Sequence, residues 1–207
     1  MSYSNENNQV NQPQGLLFDI VGIAASSDGT NAIISILKKL PKDFPVPILI
    51  VKHLASGYKS YFPVIFGYRT LLTVKEAEDG EKIKPSTVYV AAPNYHLLVN
   101  AEREISLTQT EKIHLVRPAA DVLLKTMAEN YRERAIAVIL TGADSDGAAG
   151  VKAIKEMGGT VIAQDRETAK VFGMPSAAIA TGCVDFILPI DRIAEAIENL
   201  VNKGAIA

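Results

Sequence analysis

The 207-residue chain has a single cysteine, Cys183, so it cannot close an intramolecular disulfide, and nothing near it has the spacing of a zinc site. A small buried apolar role in a reducing compartment is expected for that residue. Excess charge is missing as well. The 21 Lys and Arg face 23 Asp and Glu, a formal net charge of −2, which offers no basic field to nucleic acid or to an anionic membrane. No apolar run approaches the roughly 18 residues that span a bilayer, and the first basic residue is Lys38, which removes the positive start of a signal peptide. A soluble, cytoplasmic protein without membrane insertion is the expectation. No fixed-period repeat occurs, and neither G-x-G-x-x-G nor G-x-x-x-x-G-K-[ST] can be laid on residues 22–31, which disfavours a Rossmann or P-loop nucleotide site.

What is present is a 48% hydrophobic fraction, enough to pack one ordinary domain. The first 14 residues hold seven Asn or Gln, so residues 1–15 are expected as a disordered tail and residues 16–207 as the folded domain. From Leu16 onward short Val/Ile/Ala runs alternate with longer amphipathic stretches. Strands are expected at Phe18 to Ala25, Pro47 to Lys52, Leu72 to Lys75, Thr87 to Ala91, Ala135 to Leu140 and Thr160 to Ala163. Helices are expected at Gly29 to Leu40, from Pro118 to about Tyr131, and at Asp146 to Met157, with Gly182 and Gly204 punctuating two more. Pro63 should interrupt any helix after Gly57. Leu97 to Asn100 and Glu104 to Thr108 suggest a hairpin whose three-residue loop lacks the usual glycine. The fold class is α/β: a doubly wound, mostly parallel sheet with helices on both faces and a short antiparallel hairpin.

Ligands in such sheets bind outside the carboxyl ends of the strands. Three junctions there carry polar residues. The first, Gly22-Ile23-Ala24-Ala25-Ser26-Ser27-Asp28-Gly29, exposes Ser26 where a strand turns into a helix, whose first N–H groups could stabilise an oxyanion; simple helix capping competes for these residues. The second places His53 directly after a parallel strand, with His96 and His114 as competitors. The third, Leu140 to Gly150, contains Asp146, which could cap the following helix, orient a histidine, or do both. A serine, a histidine and an aspartate at three strand ends are the parts of an acyl-transfer site. Their order Ser, His, Asp and the absence of G-x-S-x-G disfavour the α/β-hydrolase family.

From Asp19 to Leu200 the chain resembles the catalytic domain of CheB-type chemotaxis protein-glutamate methylesterases. The resemblance is carried by Ile23-Ala24-Ala25-Ser26-Ser27-Asp28-Gly29, Lys52-His53-Leu54, Glu76-Ala77-Glu78-Asp79-Gly80, and Tyr89-Val90-Ala91-Ala92-Pro93 with His96. Arg117-Pro118 with Asp121, Leu140-Thr141-Gly142, Asp146-Gly147-Ala148-Ala149-Gly150 and Val171-Phe172-Gly173-Met174-Pro175 complete it. It implies a catalytic triad of Ser26, His53 and Asp146 that removes methyl esters from glutamate side chains of chemoreceptors and also deamidates certain glutamines. It implies an oxyanion and cleft set of Ser27, Asp28, Ala143, Asp144 and Met174, with the Ser27 N–H as the leading oxyanion donor. No metal or organic cofactor is required, because the histidine that deprotonates the serine can protonate the leaving methanol. The implied partners are the cytoplasmic helices of methyl-accepting receptors, together with a separate receiver or signalling protein, since only the polar tail precedes the fold where family members usually carry a receiver domain.

Three positions depart from the family pattern. Asp28 and Asp144 stand where small neutral residues, commonly glycine, are expected, and Ala143 replaces a larger residue. If both carboxylates face the cleft, they favour a protonated histidine and oppose the charge developing on the substrate oxygen, which slows hydrolysis. If both point to solvent they do nothing. The alternative to an esterase is a catalytically weakened esterase-fold module that docks receptor helices or signalling partners without turnover.

Overall fold

The computed structural model describes residues 17–53 and 60–203. The tail expected over residues 1–15, together with Leu54, Gly57 and Gly204, lies outside them. The first half of the chain runs β1 (Ile20–Ala25), α1 (Gly29–Leu37), β2 (Ile48–Lys52), α2 (Phe62–Gly67), β3 (Thr73–Glu76), β4 (Thr87–Val90), β5 (His96–Val99) and β6 (Ile105–Thr108). The second half runs α3 (Ala120–Tyr131), a turn of 3₁₀ helix, β7 (Ala135–Ile139), α4 (Ala148–Glu156), β8 (Thr160–Gln164), α5 (Gly173–Ala180), β9 (Phe186–Leu188) and α6 (Ile190–Lys203).

Seven strands form one sheet in the order β3-β4-β2-β1-β7-β8-β9, with every pairing parallel. The hairpin β5-β6 is a separate antiparallel sheet. Its loop manages without glycine because Arg103 takes the left-handed conformation at φ 59° and Asn100 Oδ1 accepts the Glu104 N–H.

The inner strands are apolar along their whole length because both faces are covered. Val21, Ile23 and Ala25 of β1 pack with Ile33, Ile36 and Leu37 of α1 and with Ile193 and Ile197 of α6. Ile20 and Ala24, on the opposite face, share a core with Leu124 and Met127 of α3, Val151 and Ile154 of α4, and Leu97 of the hairpin. On that second face α3 and α4 approach so closely that a Cβ on Gly150 would lie 2.5 Å from Leu124 Cβ. Overpacking of this kind costs about 1–3 kcal/mol, more than the helix propensity that alanine gains. Gly150→Ala is therefore expected to lower the unfolding free energy by about that much, seen as a lower urea midpoint, and a midpoint equal to or above wild type would contradict this packing.

Three expectations are corrected, and one strand was not anticipated. Pro63 does not break a helix but lies in the first turn of α2, where its missing N–H has no partner to lose. Pro118 precedes α3 rather than opening it, because Ala119 is extended at φ −120° and ψ 138°. Cys183 is free but only half-buried. Strand β9 has just three residues, none fully buried, and carries no signal strong enough to anticipate.

The topology fixes where a site can form. The β1-α1-β2 unit winds toward one edge, while β7 lies against the other side of β1, so a crevice opens at the carboxyl ends of β1, β2 and β7.

Candidate active site

Ser26, His53 and the loop holding Asp144 and Asp146 leave the sheet at that crevice. Ala25 pairs with Lys52 across the parallel ladder, and His53 N–H donates to the Ala25 carbonyl at 3.0 Å, so Ser26 and His53 follow two registered neighbours. Ser26 is tied to the other side by its own N–H, which donates to Thr141 O at 3.0 Å. Gly142 explains how the serine fits there. A Cβ on Gly142 would collide with the Met174 side chain and come within 2.9 Å of Ser26 Cβ. Met174 is buried, and its N–H donates to Gly142 O at 2.9 Å, so it forms the floor of this contact.

Asp146 is fully buried and is held by three donors. His53 Nε2 lies 2.8 Å from its Oδ2, Ala120 N–H donates to the same oxygen at 2.5 Å, and Asp121 N–H donates to Oδ1 at 3.0 Å. The last two are free N–H groups at the start of α3, whose N-cap is Ala119, a residue with no side chain to cap it. Asp146 therefore caps α3 from a distant loop and does not cap its own helix α4, which begins behind Gly147 without a side-chain cap. That placement was not readable from the sequence; the only hint was a helix start preceded by proline and alanine instead of a capping residue.

Burial pushes the Asp146 carboxyl upward and is the largest single influence, yet the hydrogen bond from His53, those from Asp121 and Ala120, and the electrostatic pull of His53 together hold it below the ordinary carboxylate range. A folded value below the unfolded one of about 3.9 means that this stabilisation is present above about pH 4 and is lost as pH falls through the folded value. In urea titrations between roughly pH 5 and pH 2, Asp146→Asn is expected to show a smaller acid-side loss of stability than wild type. Parallel losses in the two proteins would contradict it.

The His53 side chain is 7% exposed. With Nε2 on Asp146, only Nδ1 remains for a second partner, and it is buried without a hydrogen bond among the described residues. Asp144 Oδ2 lies 3.2 Å away, within ion-pair distance but out of hydrogen-bond alignment. Asp144 Oδ1 accepts the Asp146 N–H at 3.0 Å, which aims the carboxylate inward. Asp28 goes elsewhere. It takes the left-handed conformation, φ 60°, which accounts for glycine being at home there, and its carboxylate lies 3.1 Å from Lys170 Nζ. Burial lowers the pKa of Lys52, opposed by the charge of Asp28, and the Lys52 ammonium donates to the His53 carbonyl at 2.9 Å. The two acids anticipated as equivalent are thus distinct: one contacts His53, the other is paired with a lysine.

Ser26 is half-buried and its Oγ makes no hydrogen bond among the described residues, nor does Asp28 cap α1 through its side chain. The capping role that competed for Ser26 to Asp28 is therefore not taken up. The exposed Ser27 has an N–H without a partner among the described residues, and Ala143 is exposed at the mouth. The competing histidines are used otherwise. Buried His96 accepts the Ala119 N–H at Nδ1 and bonds the Glu111 carbonyl through Nε2, while His114 lies 3.3 Å from Asp121. Behind the site, Thr141 N–H donates to the buried Gln164 Oε1 at 2.9 Å, a support that the sequence reading missed.

Fold and site together define an α/β protein with a serine, an acid-bound histidine and a ligand crevice at the carboxyl ends of parallel strands. A family model described as CheB methylesterase matches residues 21–197, and the chain belongs to that family. A Thermotoga maritima relative named protein-glutamate methylesterase/protein-glutamine glutaminase is 43% identical over 185 residues, covering 88% of this chain and 54% of the relative. A Leptospira interrogans protein named as a putative enzyme of the same kind is 42% identical over 178 residues, covering 86% of this chain and 92% of that one. The chain thus spans about half the length of the first relative and nearly all of the second. The crystal structure of the T. maritima CheB methylesterase catalytic domain superposes with a TM-score of 0.86 at 43% identity, covering 89% of this chain and 99% of that one. The doubly wound fold is shared across that span.

Proposed function

We propose that residues 16–207 form a protein-glutamate methylesterase domain that also deamidates glutamine side chains, acting on the cytoplasmic helices of chemotaxis receptors. The observation that carries this reading is the buried His53–Asp146 hydrogen bond, 2.8 Å long, one residue past a ladder in which Ala25, the neighbour of Ser26, pairs with Lys52, the neighbour of His53. The relatives' names supply the substrate class, and they favour an esterase over a module that docks without turnover. Among the described residues no helix is long and apolar enough to cross a membrane, in keeping with a site that works on receptor segments in the cytoplasm.

The steps follow from the groups present. Ser26 Oγ attacks the ester carbonyl while its proton passes to His53 Nδ1, and Asp146 stabilises the resulting imidazolium through Nε2. The Ser27 N–H and the start of α1 face the developing oxyanion. Collapse of the tetrahedral intermediate releases methanol, protonated by His53, and leaves an acyl-serine. Water, deprotonated by His53, then attacks the acyl-serine and returns a free glutamate. With a glutamine substrate the same sequence releases ammonia. No metal or organic cofactor enters these steps. A receiver or signalling protein would be the regulating partner. Methanol release from a methylated receptor, compared between wild type and Ser26→Ala, tests the reading: Ser26-dependent release supports it, and release that persists without the serine overturns it.

A further inference from the structure

His53 is contacted by two carboxylates, one at each ring nitrogen, and the two are held differently. Asp146 is fully buried, and all three of its donors lock it in place. The Asp144 side chain is 33% exposed, is anchored among the described residues only through Oδ1 on the Asp146 N–H, and brings Oδ2 to 3.2 Å from Nδ1. Among the described residues no Lys or Arg pairs with Asp144, whereas Asp28 has Lys170. Its charge is thus directed at the one His53 nitrogen that Asp146 leaves open.

We infer that Asp144 is a latch on the general base, a positioning residue that acts through His53. This rests on the proposed triad. If Ser26 delivers its proton to Nδ1, a carboxylate standing 3.2 Å from that nitrogen competes with the serine for it. In the latched state an acid faces each ring nitrogen, Asp144 at Nδ1 and Asp146 at Nε2, so Nδ1 is not open to Ser26. Turnover requires the Asp144 carboxylate to leave Nδ1, and its partial exposure gives it water to move into. A small rotation suffices, because Nδ1 and Oδ2 are already out of hydrogen-bond alignment. The charged groups that contact the ring are Asp144 and Asp146 from the β7–α4 loop; Asp121 and His114 pair with each other beside the start of α3, Asp28 pairs with Lys170 of the β8–α5 loop, and Lys52 donates to the His53 carbonyl. Of these, Asp144 alone approaches Nδ1 within ion-pair distance among the described residues.

The test uses Asp144→Asn and Asp144→Ala in the full chain. Freed of the latch, both variants should hydrolyse a methylated receptor helix with kcat raised about tenfold or more and KM little changed, the pattern expected when a carboxylate at ion-pair distance no longer has to move off Nδ1 before the chemical step. The rate of Ser26 labelling by a serine-directed phosphonate should rise in step. The ring ¹⁵N shift of His53 Nδ1 should differ between wild type and the variants while that of Nε2, held by Asp146, stays put, a change that a merely structural role for Asp144 would not produce. Wild-type turnover equal to or greater than that of both variants, with unaltered ring shifts, overturns the latch while leaving the esterase intact. Absence of Ser26-dependent turnover in wild type and variants alike instead overturns the proposed function.

Discussion

Ser26→Ala is expected to lower methyl-ester hydrolysis by about 10⁶-fold, the loss seen when the nucleophile of a serine triad is removed and only binding and oxyanion contacts remain. The size follows from what the serine alone can do. His53 is fixed by Asp146 on one nitrogen and has a single open nitrogen, so it has no route to the ester carbonyl except by activating a group beside it. Water could take the place of Ser26, but it would have to be positioned afresh at each turnover. Ser26 is held by its N–H bond to Thr141 and by contact with Gly142. The stability cost should be small, because Oγ makes no hydrogen bond among the described residues. Measured as methanol release with the urea midpoint as control, a loss of activity without a loss of folding is the predicted pattern. A loss of only a few-fold would mean that another group attacks.

Asp146→Asn is expected to cost about 10⁴-fold in kcat, as Asp→Asn does in serine triads. Oδ2 accepts from both His53 and Ala120, whereas Oδ1 accepts from Asp121. An asparagine can place its oxygen at one of these positions only. With oxygen at the Oδ2 position, its NH₂ faces the Asp121 N–H, and a buried donor is left unsatisfied at about 1–3 kcal/mol. With NH₂ at that position, His53 must accept at Nε2 and carry its proton on Nδ1, the tautomer that cannot take a proton from Ser26. In either arrangement the charge that supports the imidazolium is gone. Stability and rate should therefore fall together, unlike in Ser26→Ala, and a variant with full activity would show that Asp146 does no more than cap α3.

Much of this architecture is written in local pattern. The apolar runs of β1, β2, β7 and β8 read as buried parallel strands because both their faces are covered, and the rule that sites lie past carboxyl ends then picks out Ser26, His53 and Asp146. What escaped the sequence is non-local. The start of α3 meets Asp146 across 25 residues, His96 is engaged on both ring nitrogens by backbone from two other segments, and β9 is too short to show alternation. Asp28 and Asp144 illustrate the limit best. Both are acids in polar turns after strands, and only the three-dimensional aim of each carboxylate separates a lysine-paired surface charge from one directed at the histidine.

Covalent trapping reports most directly on whether hydroxyl, imidazole and carboxylate cooperate. Wild type treated with a serine-directed phosphonate and mapped by mass spectrometry should carry one adduct, on Ser26, and the adduct should be lost in His53→Ala although that variant stays folded. Labelling of a different serine, or labelling of Ser26 at the same rate without the imidazole, would contradict a relay built from these three residues.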